Sequence, residues 1–180
     1  YAPERLSPEV LAQRFPAFQS TAYAEAIFNP RAGFAESGRV VQTLANYARQ
    51  LGVHIQEQQT ADVFLKNGNR VTGVQTLEGR RFDAGQVVVC AGAYTPYLLP
   101  ELAPVMKATG HPVFHLLPER PERFQPPNFS VFTSDISRTG WYGFPIHPTE
   151  GVVKIGNHGP GVELHPDRDA RVVEPSEILH

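Results

Sequence analysis

Five consecutive apolar residues, Val87-Val88-Val89-Cys90-Ala91, run without a polar break into Gly92-Ala93. A half-exposed strand alternates apolar and polar residues, so an unbroken run predicts a strand over residues 86–91 with both faces buried. A strand of that kind has to sit inside a layered domain, and 180 residues are enough to bury such a core. Ala91-Gly92-Ala93 carries no bulky side chain, so another group can approach the backbone there. The same residues also fit a tight turn after a core strand.

The chain on either side predicts a mixed α+β layout. Ser7-Pro8-Glu9 ahead of Val10, Leu11 and Phe15 reads as a capped helix start, stopped by Pro16. Residues 21–28 alternate loosely, as a strand would. Over residues 38–52, Val40, Val41, Leu44, Tyr47, Ala48 and Leu51 recur at helical spacing and Gly52 supplies the stop. Val53-His54-Ile55 reads as a short strand. Residues 61–65, 70–76 and 80–83, joined by Asn67-Gly68-Asn69 and Glu78-Gly79, read as an antiparallel meander leading into the apolar run. Thr95-Pro96 opens a short helical piece through Leu99. Beyond Gly110 the pattern is strand and turn, with candidate strands at 113–117, 129–133, 140–144 and 152–155, and most of the 17 prolines fall in the links.

Charge and cysteine content exclude several classes. The net charge is -2, with no basic surplus for nucleic acid and no polybasic run for a membrane surface. Glu119-Arg120-Pro121-Glu122-Arg123 mixes signs around a proline and reads as a solvated loop. No apolar stretch approaches the roughly 20 residues that span a bilayer. Cys90 is the only cysteine, which forbids an intrachain disulfide and fits a reducing, cytoplasmic home. It reads as a small buried residue. His111 and His115 are four apart, but Pro112 argues against a helix that would aim them at one metal. His147, His165 and His180 are isolated, so no metal site is expected. The start at Tyr1 without methionine, and an end over residues 177–180 that resembles a helix opening, lead us to expect a central piece of a longer chain.

The meander, the apolar strand and two further blocks together resemble a known family. Val89-Cys90-Ala91-Gly92-Ala93 with Leu98-Leu99-Pro100-Glu101-Leu102 is one block. Tyr142-Gly143-Phe144-Pro145 followed by Val153-Lys154-Ile155-Gly156-Asn157-His158 is the more specific one. They resemble the FAD-dependent amine oxidoreductases of the D-amino acid oxidase superfamily, in the branch of monomeric sarcosine oxidase and N-methyltryptophan oxidase. The resemblance runs from about Ser7 onward and is weakest before Gly38 and over 118–127.

That resemblance implies an antiparallel-sheet substrate domain from residues 1–37 and 110–180. Residues 38–109 would be a partial FAD-binding segment with its meander. It implies that Lys154 sits over the flavin and promotes its reaction with O2, since a fixed ammonium stabilises the anion formed by electron transfer. His158 and Tyr142 would lie at the amine, and Ala61, Ala91, Gly92 and Tyr94 against the cofactor. Each has a plainer reading: Lys154 as an exposed strand lysine, His158 as a turn histidine, Tyr142 as a core aromatic. The family's flavin-linking cysteine lies past the end of this chain, so Cys90 is not its counterpart. No Gly-x-Gly-x-x-Gly follows a strand, so FAD's pyrophosphate has no helix N-terminus here. The expected parent is an oxidase that turns a secondary or N-methyl amino acid and O2 into an imine and H2O2. A dehydrogenase, a glycine-oxidase-like enzyme, or a non-catalytic binding module for the isolated chain are the alternatives. The amine and the oligomeric state are not legible.

Overall fold

The computed structural model describes residues 2–173. In chain order the elements are β1 (Glu4–Leu6), α1 (Pro8–Arg14), β2 (Ala26–Phe28), α2 (Ser37–Gln50), β3 (Ala61–Asn67), β4 (Arg70–Thr76), β5 (Arg81–Asp83), α3 (Thr95–Leu98), β6 (Thr109–Gly110), β7 (Val113–Leu116), β8 (Phe132–Ser134), α4 (Ile136–Thr139), β9 (Trp141–Phe144), β10 (Val153–Asn157) and β11 (Val162–Glu163). They form a mixed α+β arrangement of antiparallel sheets. Two compact units divide the chain, one of residues 2–35 and 111–161 with Val173, the other of Glu36–Gly110 and Val162–Val172.

The first unit is built on a four-stranded sheet in the order β7-β10-β9-β8. Its core begins in the N-terminal segment. Ser7 caps α1 by accepting from the Val10 N–H at 3.4 Å, with Pro8 at the first helical position. That turn drives Leu11 and Phe15 inward to meet Leu6, all three about 5–6% exposed. Phe18 carries the cluster onto the sheet, stacked on Phe129 at 4.9 Å and edge-on to Phe132 at 5.0 Å. Removing one such leucine side chain costs about 2–5 kcal/mol in buried cores generally. The loose alternation over 21–28 yields strand only at its end, in β2, because Ser20–Ala22 winds into a 3-10 turn instead.

In the second unit the expected meander is present, in the order β3-β4-β5. Asn67 pairs with Arg70 across a two-residue loop, and Gly68 takes φ +59, the left-handed value such hairpins require. Glu78 closes the far end. Its carboxylate accepts from the Thr60 N–H at 3.0 Å, and that bond holds its pKa below the usual carboxylate range. The helix α2 ends as expected: Gly52 at φ +85 donates to the Arg49 carbonyl, and Val53 to that of Ala48.

Three expectations in this unit fail, two strands and the burial of Cys90, and the apolar stripe of α2 is left uncovered as well. The apolar run at 87–91 forms no strand, and Val88 is 84% exposed. Val53-His54-Ile55 forms none either. The apolar stripe of α2 faces outward, with Leu44 60% exposed and no residue of the helix buried. Cys90, expected to be buried, is exposed. The reason is the same for both missing strands. Apolar spacing states that a surface needs covering, but a strand also needs a neighbour for its backbone N–H and C=O groups. Among the described residues no strand runs beside 87–91. The expected helix opening at 177–180 lies outside the described residues.

The unpaired run has a measurable consequence in amide hydrogen exchange. The amides of Val87–Cys90 should exchange at nearly the unprotected rate, while those of Val74–Thr76 in β4 remain slow. Equal protection of both stretches would show that the apolar run is paired after all.

Candidate functional site

The register of the four-stranded sheet decides which side chains share a face. In β10, Lys154 stands opposite Phe144 of β9 on one side and His115 of β7 on the other. Gly156 stands opposite Tyr142 and Val113, and Tyr142 in turn opposite Thr133 of β8. Directly paired residues point to the same side and residues alternate along a strand. One face therefore carries Lys154, Gly156, Tyr142, Phe144, His115, Val113 and Thr133. The other carries Val153, Ile155, Trp141, Gly143, Phe114, Leu116 and Phe132.

These two faces have different fates. Phe132 takes the N-terminal aromatic cluster onto the second face, and Phe114 and Trp141 meet there at 6.3 Å. Val153 is 2% exposed. On the first face Phe34 meets Phe144 edge-on at 5.5 Å, and beyond that ring the face keeps partly exposed aromatic and polar groups. Lys154, one of the expected catalytic residues, is thereby delivered to the face that the unit's own core does not cover.

Lys154 is held by an aromatic ring rather than an anion. Its Nζ lies 5.3 Å from the centroid of Phe144, within reach of a cation–π attraction worth about 0.5–1 kcal/mol at an exposed site. Among the described residues no carboxylate pairs with it. Tyr142 and Phe144 meet edge-on at 5.9 Å, which fixes both rings on the same face.

Gly156 explains why a glycine follows two residues after the lysine. A Cβ at that position would lie 2.5 Å from the Tyr142 hydroxyl and 2.6 Å from its Cζ. The tyrosine ring lies across the glycine. On the opposite face Gly143 serves in the same way: a Cβ there would meet the Phe132 ring at 2.4 Å.

His158 sits just past the end of β10, four residues from Lys154, which is about 13 Å along an extended strand. Its N–H donates to the Gly140 carbonyl at 2.6 Å. The adjoining turns are tied by Asn157, whose Nδ2 donates to the Thr139 carbonyl and whose Oδ1 accepts from the Gly159 N–H at 2.8 Å. Its exposed ring lies 5.4 Å from that of His111, nearly parallel. The structure thus gathers Tyr142 and Lys154 on one face, with His158 beyond its end. His115, for which the spacing of residues suggested nothing, joins them. Register is the signal that finds it, because period-2 alternation with Lys154 in the central strand selects its neighbour.

The four positions expected at the cofactor all belong to the second unit. Ala61 opens β3, and Ala91 and Gly92 lead into the turn before α3. Gly92 has φ +54, and nothing stands within 4 Å of where a Cβ would be. Its backbone is open to close approach. Tyr94 has a partner: its hydroxyl donates to Asp167 Oδ1 at 2.7 Å. The bond to that carboxylate, then desolvation, raises the phenol's pKa. A cavity of about 400 Å3 in the first unit lies among Arg14, Phe15, Phe28, Phe34 and Phe129 and contains none of Tyr142, Lys154 or His158. Its arginine is already committed, paired with Glu4 at 2.5 Å and stacked 4.1 Å over Phe28. Chemistry therefore points to the sheet face rather than to that cavity.

The family described as FAD dependent oxidoreductase, DAO, matches residues 1–178. The monomeric sarcosine oxidase of Streptomyces avermitilis is 26% identical over 180 residues, covering 97% of this chain and 46% of that protein. The N-methyl-L-tryptophan oxidase of Shigella boydii serotype 18 is 28% identical over 173 residues, covering 94% and 44%. The beta subunit of an Arthrobacter sarcosine oxidase is 37% identical over 102 residues, covering 56% and 25%. This chain thus spans less than half the length of these relatives. A solved fructosyl peptide oxidase shares the fold with a TM-score of 0.72 at 20% identity, covering 89% of this chain and 38% of that one. The L-proline dehydrogenase of P. horikoshii does so at 0.65 and 20%, covering 93% and 43%.

Two outcomes follow from the geometry. Gly156→Ala should lower stability by about 1–3 kcal/mol through overpacking, and adding Tyr142→Ala should remove most of that loss, as judged by thermal denaturation of the double-mutant cycle. Strictly additive losses would mean that the ring does not lie across the glycine. For Tyr94, the raised pKa means that the tie to Asp167 contributes below about pH 10 and is lost as pH rises through the folded value. In an ultraviolet phenolate titration, Asp167→Asn should bring one late-titrating tyrosine to lower pH; an unchanged curve would remove the tie.

Proposed function

This chain belongs to the DAO family of FAD dependent oxidoreductases, and from that membership we propose that the whole protein oxidises the C–N bond of a secondary or N-methyl amino acid, using O2. The observation that carries the reading is the partly exposed sheet face on which Lys154, Tyr142 and Phe144 meet. Relatives named for oxidising sarcosine and N-methyl-L-tryptophan support an amine as the substrate class.

The residues present suit the ring end of FAD. A planar aromatic system that gains negative charge on reduction matches a face of flat side chains with one ammonium and no paired carboxylate. They do not account for the pyrophosphate, because the sequence has no Gly-x-Gly-x-x-Gly turn. Bound FAD would supply a two-electron acceptor that takes a hydride equivalent from the carbon beside nitrogen, leaving an imine, and passes both electrons to O2 to give H2O2. Lys154 contributes a positive charge already in place when the developing oxygen anion appears. Its hold on Phe144 keeps that charge on the face without a neutralising partner. Tyr142, braced across Gly156, presents a ring and a hydroxyl to the amine. His158, anchored through Gly140 and Asn157, closes the end of the face. In the second unit, Ala61, Ala91 and Gly92 would offer backbone to the cofactor and Tyr94 its ring, the Tyr94 hydroxyl being engaged by Asp167.

Stopped-flow kinetics of the flavin-loaded protein test this assignment. Lys154→Met should slow reoxidation by O2 by about 10²–10³-fold, the scale of losing a preorganised electrostatic group, while reduction by the amine changes far less. Equal slowing of both half-reactions would refute the role given to Lys154.

A further inference from the structure

We propose that His115 is a second protonatable group of the same reaction face and makes its handling of negative charge depend on pH. The proposal rests on the reading that this face receives the flavin. His115 is directly opposite Lys154 in the β7–β10 register, so the two side chains leave the sheet on the same side from adjacent strands. Neighbouring strands lie about 4.8 Å apart, and directly paired Cβ atoms about 5 Å apart. His115 is exposed, and its side chain makes no hydrogen bond or ion pair with any described residue. Its ring is therefore not committed to holding the fold.

Charge on that face is sparse. From β10 the group that faces His115 is the Lys154 ammonium, and across the sheet stand the Tyr142 phenol, the Phe144 ring and the Thr133 hydroxyl. Val113 is its neighbour on its own strand. None of these positions is a carboxylate. Imidazole is the side chain whose charge changes in the physiological range, between about pH 5 and 8. At the alkaline end Lys154 is the single cation of the face. At the acid end a protonated His115 places a second positive charge one strand away, with no countercharge to cancel it. Electron transfer to O2 creates negative charge next to both, so it gains from the second cation as it does from the first. A polar residue kept on an edge strand only to discourage strand pairing would have no such effect.

The test uses the FAD-loaded protein and two readouts. The first is labelling of His115 by diethyl pyrocarbonate, followed by peptide mass spectrometry with and without FAD. His115 should be labelled freely in the flavin-free protein and at least about tenfold more slowly when the face is covered. The second is the rate of flavin reoxidation by O2 between about pH 5.5 and 8.5. The wild-type rate should rise toward acid by about tenfold, the scale of one added charge in a partly screened site. His115→Gln should flatten the rise, and His115→Lys should hold the rate high at every pH. A rise that persists in His115→Gln, or labelling indifferent to FAD, would overturn the proposal. Lys154→Met separates this from the underlying reading. If it slows reoxidation while His115→Gln keeps the acid rise, His115 alone is misassigned; if it has no effect, the reading of the face fails and this proposal with it.

Discussion

The antiparallel pairing of Val153–Asn157 with Trp141–Phe144 is the interaction on which the rest of the site depends. Side chains alternate with a period of two, so a slip of one residue in this ladder would exchange the faces. Lys154 would then point into the aromatic layer that Phe132 joins to Phe18, and Val153 and Ile155 would point outward. The apolar demand of Val153, Trp141 and Phe132 forbids that slip. Burial of one face thus positions the charge on the other, and no interaction of Lys154 itself is needed to place it. Gly143 and Gly156 tighten the constraint, since each leaves room for a ring that a Cβ would displace.

A lysine without a carboxylate partner is a less stable arrangement than a salt bridge, though at a partly exposed position the difference is small, since surface pairs contribute about 0–1 kcal/mol. What the arrangement gains is an uncancelled field. Had a glutamate stood where His115 or Phe144 stands, it would have neutralised Lys154 and cancelled the charge that the proposed role uses. The aromatic neighbour holds the ammonium through its quadrupole and leaves the net charge intact.

Local patterns were legible in the sequence because local physics produces them. Ser7 and Pro8 predict the start of α1, Gly52 the end of α2, and Asn67-Gly68-Asn69 the hairpin, each through a capping or turn preference that needs only near neighbours. The block from Tyr142 to His158 was legible as a resemblance and pointed to residues that the register brings onto one sheet. The apolar patterns at 40–51 and 87–91 mark surface that needs covering but do not say where the covering surface lies, and the expected buried strand at 87–91 does not form: no residue of either segment is buried. His115 was hidden for a related reason. Its partner is 39 residues away in the chain, and only the ladder reveals that the two stand side by side.

The central claim is that the sheet face bearing Lys154 is where the flavin ring lies. A crystal structure of the FAD-loaded protein tests it most directly. The account predicts the ring stacked over this face, with Lys154 Nζ within hydrogen-bond or single-water reach of it and Tyr142 at its edge. A ring bound elsewhere, with Lys154 left in bulk solvent, would contradict it.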